Sequence, residues 1–286
     1  MLTFKDIRTF GKFSISIPIA FTAYAGYVMF DEQLSWAGLL ASLGIFFMSA
    51  GASALNQLQE ISLDAKMPRT VNRPLPSGLM NKGLAVSIIL FFVMAGSLCL
   101  YPFGGYAVLW GWIGLFWYNF IYTPMKTRSA FSVFPGAVVG AIPPIAGWVA
   151  AGGSILDARI HFLAFFFFLG QMPHFWLLVL KYKDQYKKAG FPVITDVLNK
   201  KQVIRINLVW FLATYISALF LPVFNMLDHR FIIWPLTISC IAMIVWTLKI
   251  TMQANKDGHS THLRKLFVYF NSFYLWVMIL IYMDQI

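Results

Sequence analysis

Asn56, Glu60 and Asp64 stand four residues apart, and Arg69 and Arg73 follow at the same spacing. On a helix, positions i, i+4 and i+8 share one face and rise about 6 Å per step. Three oxygen donors on such a face suit a hard cation such as Mg2+, which is usually held by one or two carboxylates plus substrate phosphates. Each arginine presents a planar fork of donors that matches phosphate oxygens. Pro74 and Pro76 end any helix at that point. Carboxylates beside arginines make a metal-bridged diphosphate the economical ligand. The competing reading is a solvated helix end with ordinary i, i+4 polar neighbours.

The elements that carry these residues must lie in lipid. Of 286 residues, 59% are hydrophobic and 12% charged, and the mean hydropathy is +0.70. Soluble domains carry about 25% charged residues, and a chain of this size has no core large enough for so much apolar surface. These values exclude a soluble globular enzyme and a disordered chain. Cys99 and Cys240 both sit in apolar runs, which argues against a disulfide framework or a cysteine metal site. The first residues lack the pattern of a cleaved signal or transit segment, so the first apolar run is expected to stay as a membrane helix. A span needs about 20 apolar residues. Nine runs qualify: 13–30, 36–55, 84–101, 106–122, 133–151, 160–180, 203–222, 231–250 and 266–283. The expected fold is all-α, a polytopic membrane bundle of about nine transmembrane helices, with residues 1–286 forming a single domain.

Nine spans sort the connecting segments into two sets. All of the 22 basic residues except Arg159 and Arg230 fall with the N-terminus and the segments near 56–83, 123–132, 181–205 and 249–265. The Lys/Arg bias puts that set, and the polar cluster with it, in the cytoplasm. The formal charge of +11 is then accounted for without nucleic acid as a partner. Because the cluster lies at the edge of the bilayer, a lipid diphosphate is the natural ligand.

The run from Asn56 to Gly78 resembles the UbiA superfamily of intramembrane prenyltransferases. It is most similar to the branch of protoheme IX farnesyltransferases, with N-x-x-x-[DE]-x-x-x-D-x-x-M-x-R-T-x-x-R-P-L-P-x-G. Asn56, Glu60, Asp64, Met67, Arg69, Thr70, Arg73, Pro74, Leu75, Pro76 and Gly78 match it. Tyr118–Lys126 is similar to the family's Y-x-x-x-Y-T-x-x-K segment. Gly140–Trp148 is similar to its G-A-x-P-P-x-x-G-W stretch, where small residues permit close helix approach and the proline pair is expected to break the helix beside a cavity. Gly170–Trp176 resembles the Q-x-P-H-F segment of the haem branch. At 183–197 the pattern departs: Gln185 stands where an aspartate precedes the tyrosine, Asp184 lies one position earlier, and Lys188 replaces the second carboxylate of a D-x-x-x-D.

The resemblance implies a UbiA-type prenyltransferase bundle that transfers a farnesyl group from farnesyl diphosphate to a vinyl group of haem B, with Mg2+ as cofactor. It assigns Asn56, Glu60, Asp64 and Lys126 to catalysis and Asn56, Glu60, Asp64 and Asp184 to the metal. Arg69, Arg73, Lys126 and Arg128 fall to the diphosphate, and Gln171, His174 and Tyr122 to the acceptor. For Lys126 and Arg128 the other reading is anchoring at the cytoplasmic interface. For His174 the porphyrin contact, through a propionate or the iron, stands beside a hydrogen-bonded packing role. The competing functions are prenyl transfer to an aromatic quinone precursor, and a transporter or lipid-binding protein without chemistry. The charged cluster at one membrane face argues against transport, where such groups gather near the midplane. The expected location is a bacterial-type inner membrane.

Overall fold

The computed structural model describes residues 2–257 and 260–285. A short helix, α1 (Phe4–Phe10), precedes the membrane passes. Thr3 and Asp6 form its capping box, each satisfying the other's backbone N–H. The passes follow as α2 (Phe13–Asp31) and α3 (Trp36–Gln59), a single turn α4 (Ile61–Asp64), α5 (Lys82–Leu100) and α6 (Gly105–Phe116). After α6 the chain widens through residues 117–122 into a π-helical segment and ends in the turn α7 (Thr123–Lys126). Then come α8 (Val133–Ala150), α9 (Ala158–Ala189), α10 (Lys200–Leu219), α11 (Arg230–Asp257) and α12 (Ser260–Met283). Among the described residues, eight helices are long and apolar enough to cross a membrane. The ninth pass is the run 105–126, interrupted by its π-helical segment. Side-chain caps fix several helix starts: Ser35 accepts from the Gly38 N–H, Asn81 from that of Leu84, and Asn199 from that of Gln202.

α3 packs on α5, α2 on α8, α8 on α9, and α10 on α9 and α11, while α12 returns to α9 and α2. The Tyr282 hydroxyl donates to the Phe21 carbonyl at 2.5 Å and joins the last helix to the first pass. Two large apolar cores and two small ones result among the described residues. One large core surrounds Met48, Phe92, Leu100 and Leu115, and the second surrounds Trp148, Phe166, Phe211 and Phe270. The outer faces stay apolar. Leu90, Phe91, Met94 and Leu98 on α5, with Trp234, Ile238, Ile241 and Val245 on α11, are exposed to what must be hydrocarbon.

The α2–α8 seam shows what the Gly140–Trp148 stretch does. A Cβ at Gly147 would stand 1.8 Å from the Ala23 carbonyl oxygen, and one at Gly26 1.9 Å from that of Pro144. Only glycine lets the two backbones meet. The proline pair does not break the helix as expected: α8 runs unbroken through Pro143 and Pro144. Close packing against α2 holds the backbone in place where the proline nitrogens offer no hydrogen bond.

Candidate active site

Four elements meet at one end of the bundle around a cavity of about 190 Å³. α3 delivers Asn56. It ends at Gln59 because Glu60 leaves helical geometry (φ −99°, ψ 15°), and α4 then resumes to carry Asp64. Glu60 still donates its N–H to the Asn56 carbonyl, and Asp64 to that of Glu60. The three side chains therefore keep one face despite the bend. Asn56, Glu60 and Asp64 are all buried and all line the cavity.

Buried carboxylates need partners. Arg73 Nη1 lies 2.6 Å from Asp64 Oδ2. Lys126 Nζ bridges both oxygens of Glu60, at 3.0 and 3.1 Å. Asp64 Oδ1 is buried and has no hydrogen-bond partner among the described residues. The 66–80 segment is held by its own turns, with the buried Thr70 hydroxyl donating to the Asp64 carbonyl at 2.7 Å. Arg69 crosses toward α9: its guanidinium lies 4.7 Å from the Tyr182 ring centroid, and Nη2 donates to the Tyr186 hydroxyl at 3.4 Å. Lys126 sits 4.8 Å from the Phe191 ring centroid, which adds a cation–π contact.

A fourth cation enters from the N-terminal side. Lys12 Nζ donates to Asn56 Oδ1 at 2.9 Å. Lys12 occupies the left-handed region (φ 46°) between α1 and α2, uncommon for a residue with a side chain. Gln57 fixes this junction by donating to the Thr9 and Phe10 carbonyls at 2.9 and 2.8 Å. Burial, with Arg73 and Lys126 nearby, pushes the Lys12 ammonium down to about 7. Four cationic residues thus face two carboxylates across the cavity, an imbalance that calls for an anion.

The cavity also collects rings. Tyr118, Tyr122, Phe175, Tyr186 and Phe191 line it. Tyr118 and Ile15 continue into a second, apolar cavity walled by Ile19, Met48, Ala52, Gly114, Ile142 and Ala146. The polar cavity at the bundle end and the apolar one inside it thus share two wall residues.

Of the residues singled out in the sequence, Asn56, Glu60, Asp64, Arg69, Arg73, Tyr122 and Lys126 are brought together here. Arg128 and Asp184 are exposed and line none of it. Gln171 packs beside Gly140, where a Cβ would stand 2.5 Å from its Cγ. His174 faces the other way, toward α12. Its Nδ1 lies 3.1 Å from Asn271 Oδ1, while Asn271 Nδ2 donates to the Phe267 carbonyl at 2.6 Å. The amide's orientation leaves Oδ1 as the acceptor, so Nδ1 of His174 carries the proton and Nε2 keeps its lone pair. Sequence reasoning missed Lys12, Thr70, Tyr118 and Tyr186 as contributors. The last three lie within matched or compared segments. Only folding brings Lys12 to Asn56.

A buried polar cavity beside an apolar one, within an all-helical membrane bundle, is the architecture of an intramembrane enzyme. Residues 4–277 match the model of the UbiA prenyltransferase family. A protoheme IX farnesyltransferase from Geobacter sulfurreducens is 37% identical over 212 residues, covering 74% of this chain and 78% of that protein. The fold is shared with the apo structure of a UbiA homologue from Aeropyrum pernix K1 (TM-score 0.77, 16% identity, 96% and 98% of the two chains). It is also shared with a UbiA homologue from Archaeoglobus fulgidus bound to GPP and Mg2+ (TM-score 0.68, 15% identity, 97% and 99%). The chain belongs to the UbiA prenyltransferase family and is a prenyltransferase.

Proposed function

We propose that this protein transfers a farnesyl group from farnesyl diphosphate to a vinyl group of haem B, giving a hydroxyethylfarnesyl haem of the haem O type. The observation that carries the reading is the junction of the cationic cavity with the apolar channel, together with the similarity to protoheme IX farnesyltransferases. The His174 tautomer supports the haem acceptor. A bare Nε2 suits an iron contact, whereas a propionate contact would need a donor there. We place the protein in a bacterial inner membrane, as a single domain with its N-terminus and site toward the cytoplasm, on the Lys/Arg distribution.

Arg69, Arg73, Lys12 and Lys126 bind the diphosphate and stabilise the charge that grows on it as the allylic C–O bond breaks. The electron pair leaves with the oxygen. The apolar channel keeps water from the allylic cation, and the rings of Tyr118, Tyr122 and Phe175 face it. The vinyl carbon then bonds to the farnesyl carbon, water adds to the neighbouring carbon, and a proton is lost. The residues fit a divalent cation: Asp64 Oδ1 has no partner among the described residues, with Glu60 and Asn56 beside it. Among the described residues no three His, Cys, Asp or Glu side chains converge on a metal site, so a bound Mg2+ would complete its shell with phosphate oxygens and water. When bound, it supplies Lewis-acid polarisation of the leaving group.

The test is expression in a host deleted for its own haem farnesyltransferase, followed by mass spectrometry of extracted haems. Wild type is expected to yield hydroxyethylfarnesyl haem and Asp64→Asn only haem B. Wild type that folds in the membrane yet yields only haem B refutes the haem acceptor and turns the search to aromatic rings.

A further inference from the structure

α9 presents two working faces. Phe175, Val179 and Trp176 look into the diphosphate cavity. On the other face, Leu177, Lys181 and Lys183 join residues of α12 and the start of α10 around a separate cavity of about 560 Å³. His174, one turn before Leu177 on α9, is joined to Asn271 of α12 by a hydrogen bond. Leu177, Leu263 and Phe267 form apolar walls, and the His174 ring lies 4.9 Å from that of Phe267. Lys181, Lys183, Lys200 and Arg264 form the mouth. From His174 to Lys181 the helix climbs about 10 Å. Thr195, whose buried hydroxyl has no partner among the described residues, completes the lining.

We propose that this groove anchors the acceptor by its carboxylates. Its occupant is a flat, apolar ring with two anionic arms on one edge, which is the chemistry of a haem dianion. The inference rests on the haem reading above. Four cations from three helices, α9, α10 and α12, gather around one mouth above apolar walls. Arginine and lysine can meet two carboxylates at once, while the walls take the ring. Leu178 lines both this groove and the diphosphate cavity. A ring seated here therefore lies one side chain from the donor. An anionic lipid headgroup offers similar charge, and the test separates the two.

The purified protein, in phosphatidylcholine nanodiscs without prenyl diphosphate, is titrated with ferric haem B and with its dimethyl ester, read by Soret absorbance. Wild type is expected to bind the acid at least roughly tenfold more tightly than the ester. In Lys181→Glu/Arg264→Glu, acid binding is expected to weaken by a similar factor and the ester to be unaffected. Both positions are exposed, so the variant folds, and binding of a prenyl diphosphate analogue checks this. Equal binding of acid and ester, or unchanged acid binding in the variant, overturns the proposal. Added phosphatidylglycerol that stabilises wild type but not the variant, with no acid–ester difference, assigns the groove to lipid and also overturns it. Rim-dependent haem binding without any prenylated haem keeps the groove and refutes the acceptor reading. Prenylated haem with rim-independent binding does the reverse.

Discussion

Two polar segments lie at the same end of the bundle, 60–80 and 181–199, and they are built on opposite principles. In the first, the carboxylates of Glu60 and Asp64 are 3% and 1% exposed, each met by a cation. In the second, Asp184 and Asp196 are exposed, and Asp196 pairs with Lys187 at the surface. What the second segment gives the site is aromatic: Tyr182 and Tyr186 against Arg69, and Phe191 against Lys126. The α9 backbone leaves helical geometry at Tyr182 (φ −115°, ψ 16°), so these rings sit on a segment turned off the main helix axis. Burying an ion pair costs several kcal/mol of desolvation. The protein bears that cost on the 60–80 side alone, where charge must meet substrate. The other side positions and covers.

The comparison breaks if the segments prove interchangeable. The largest effect is expected from Asp64→Asn, a fall of about 100-fold or more in kcat with fold retained, checked by haem product formation in membranes. Next is Lys126→Met. It leaves Glu60 buried without its partner, costing about 3 kcal/mol, read as a lower midpoint of thermal unfolding in detergent. Adding Glu60→Gln should restore much of the stability but none of the activity, and recovery of both would deny the pair a chemical role. Tyr186→Ala removes the ring and hydroxyl that hold Arg69, and should raise KM for the prenyl diphosphate about tenfold with a smaller change in kcat. The smallest effect is expected from Asp184→Asn, within about twofold of wild type, as for exposed substitutions generally. A loss there matching that of Asp64→Asn would mean the second segment carries its own metal ligand.

Much of this site was legible because its residues are close in sequence. Asn56 to Arg73 fall within one helix end and the turns after it, so spacing alone placed them together. The hydrophobic runs likewise marked the nine passes, since each is a local property of about 20 residues. What stayed hidden was decided by packing at a distance. Lys12 reaches Asn56 only because Gln57 grips the α1–α2 junction. The proline pair looked like a break, yet α2 braces it through Gly26 and Gly147. Asp184 was assigned through a segment whose pattern already departed, with Gln185 and Lys188 where carboxylates were expected, and it lies exposed past the turn at Tyr182. The bend at Glu60 had no signal, as glutamate is a good helix former.

The π-helical segment at 117–122 makes the site depend on a count of residues as well as on their kinds. The Thr123 N–H bonds back five residues to the Tyr118 carbonyl, and the Thr123 hydroxyl reaches the same oxygen. The wider turn absorbs one residue more than α-helical winding would. If the same residues were wound as ordinary α-helix, all that follows would rotate by about 100°. Lys126 would then point away from Glu60, although every side chain that binds the diphosphate was still encoded. The reading frame of a helix, set by a single surplus residue, is part of the charge balance at its end.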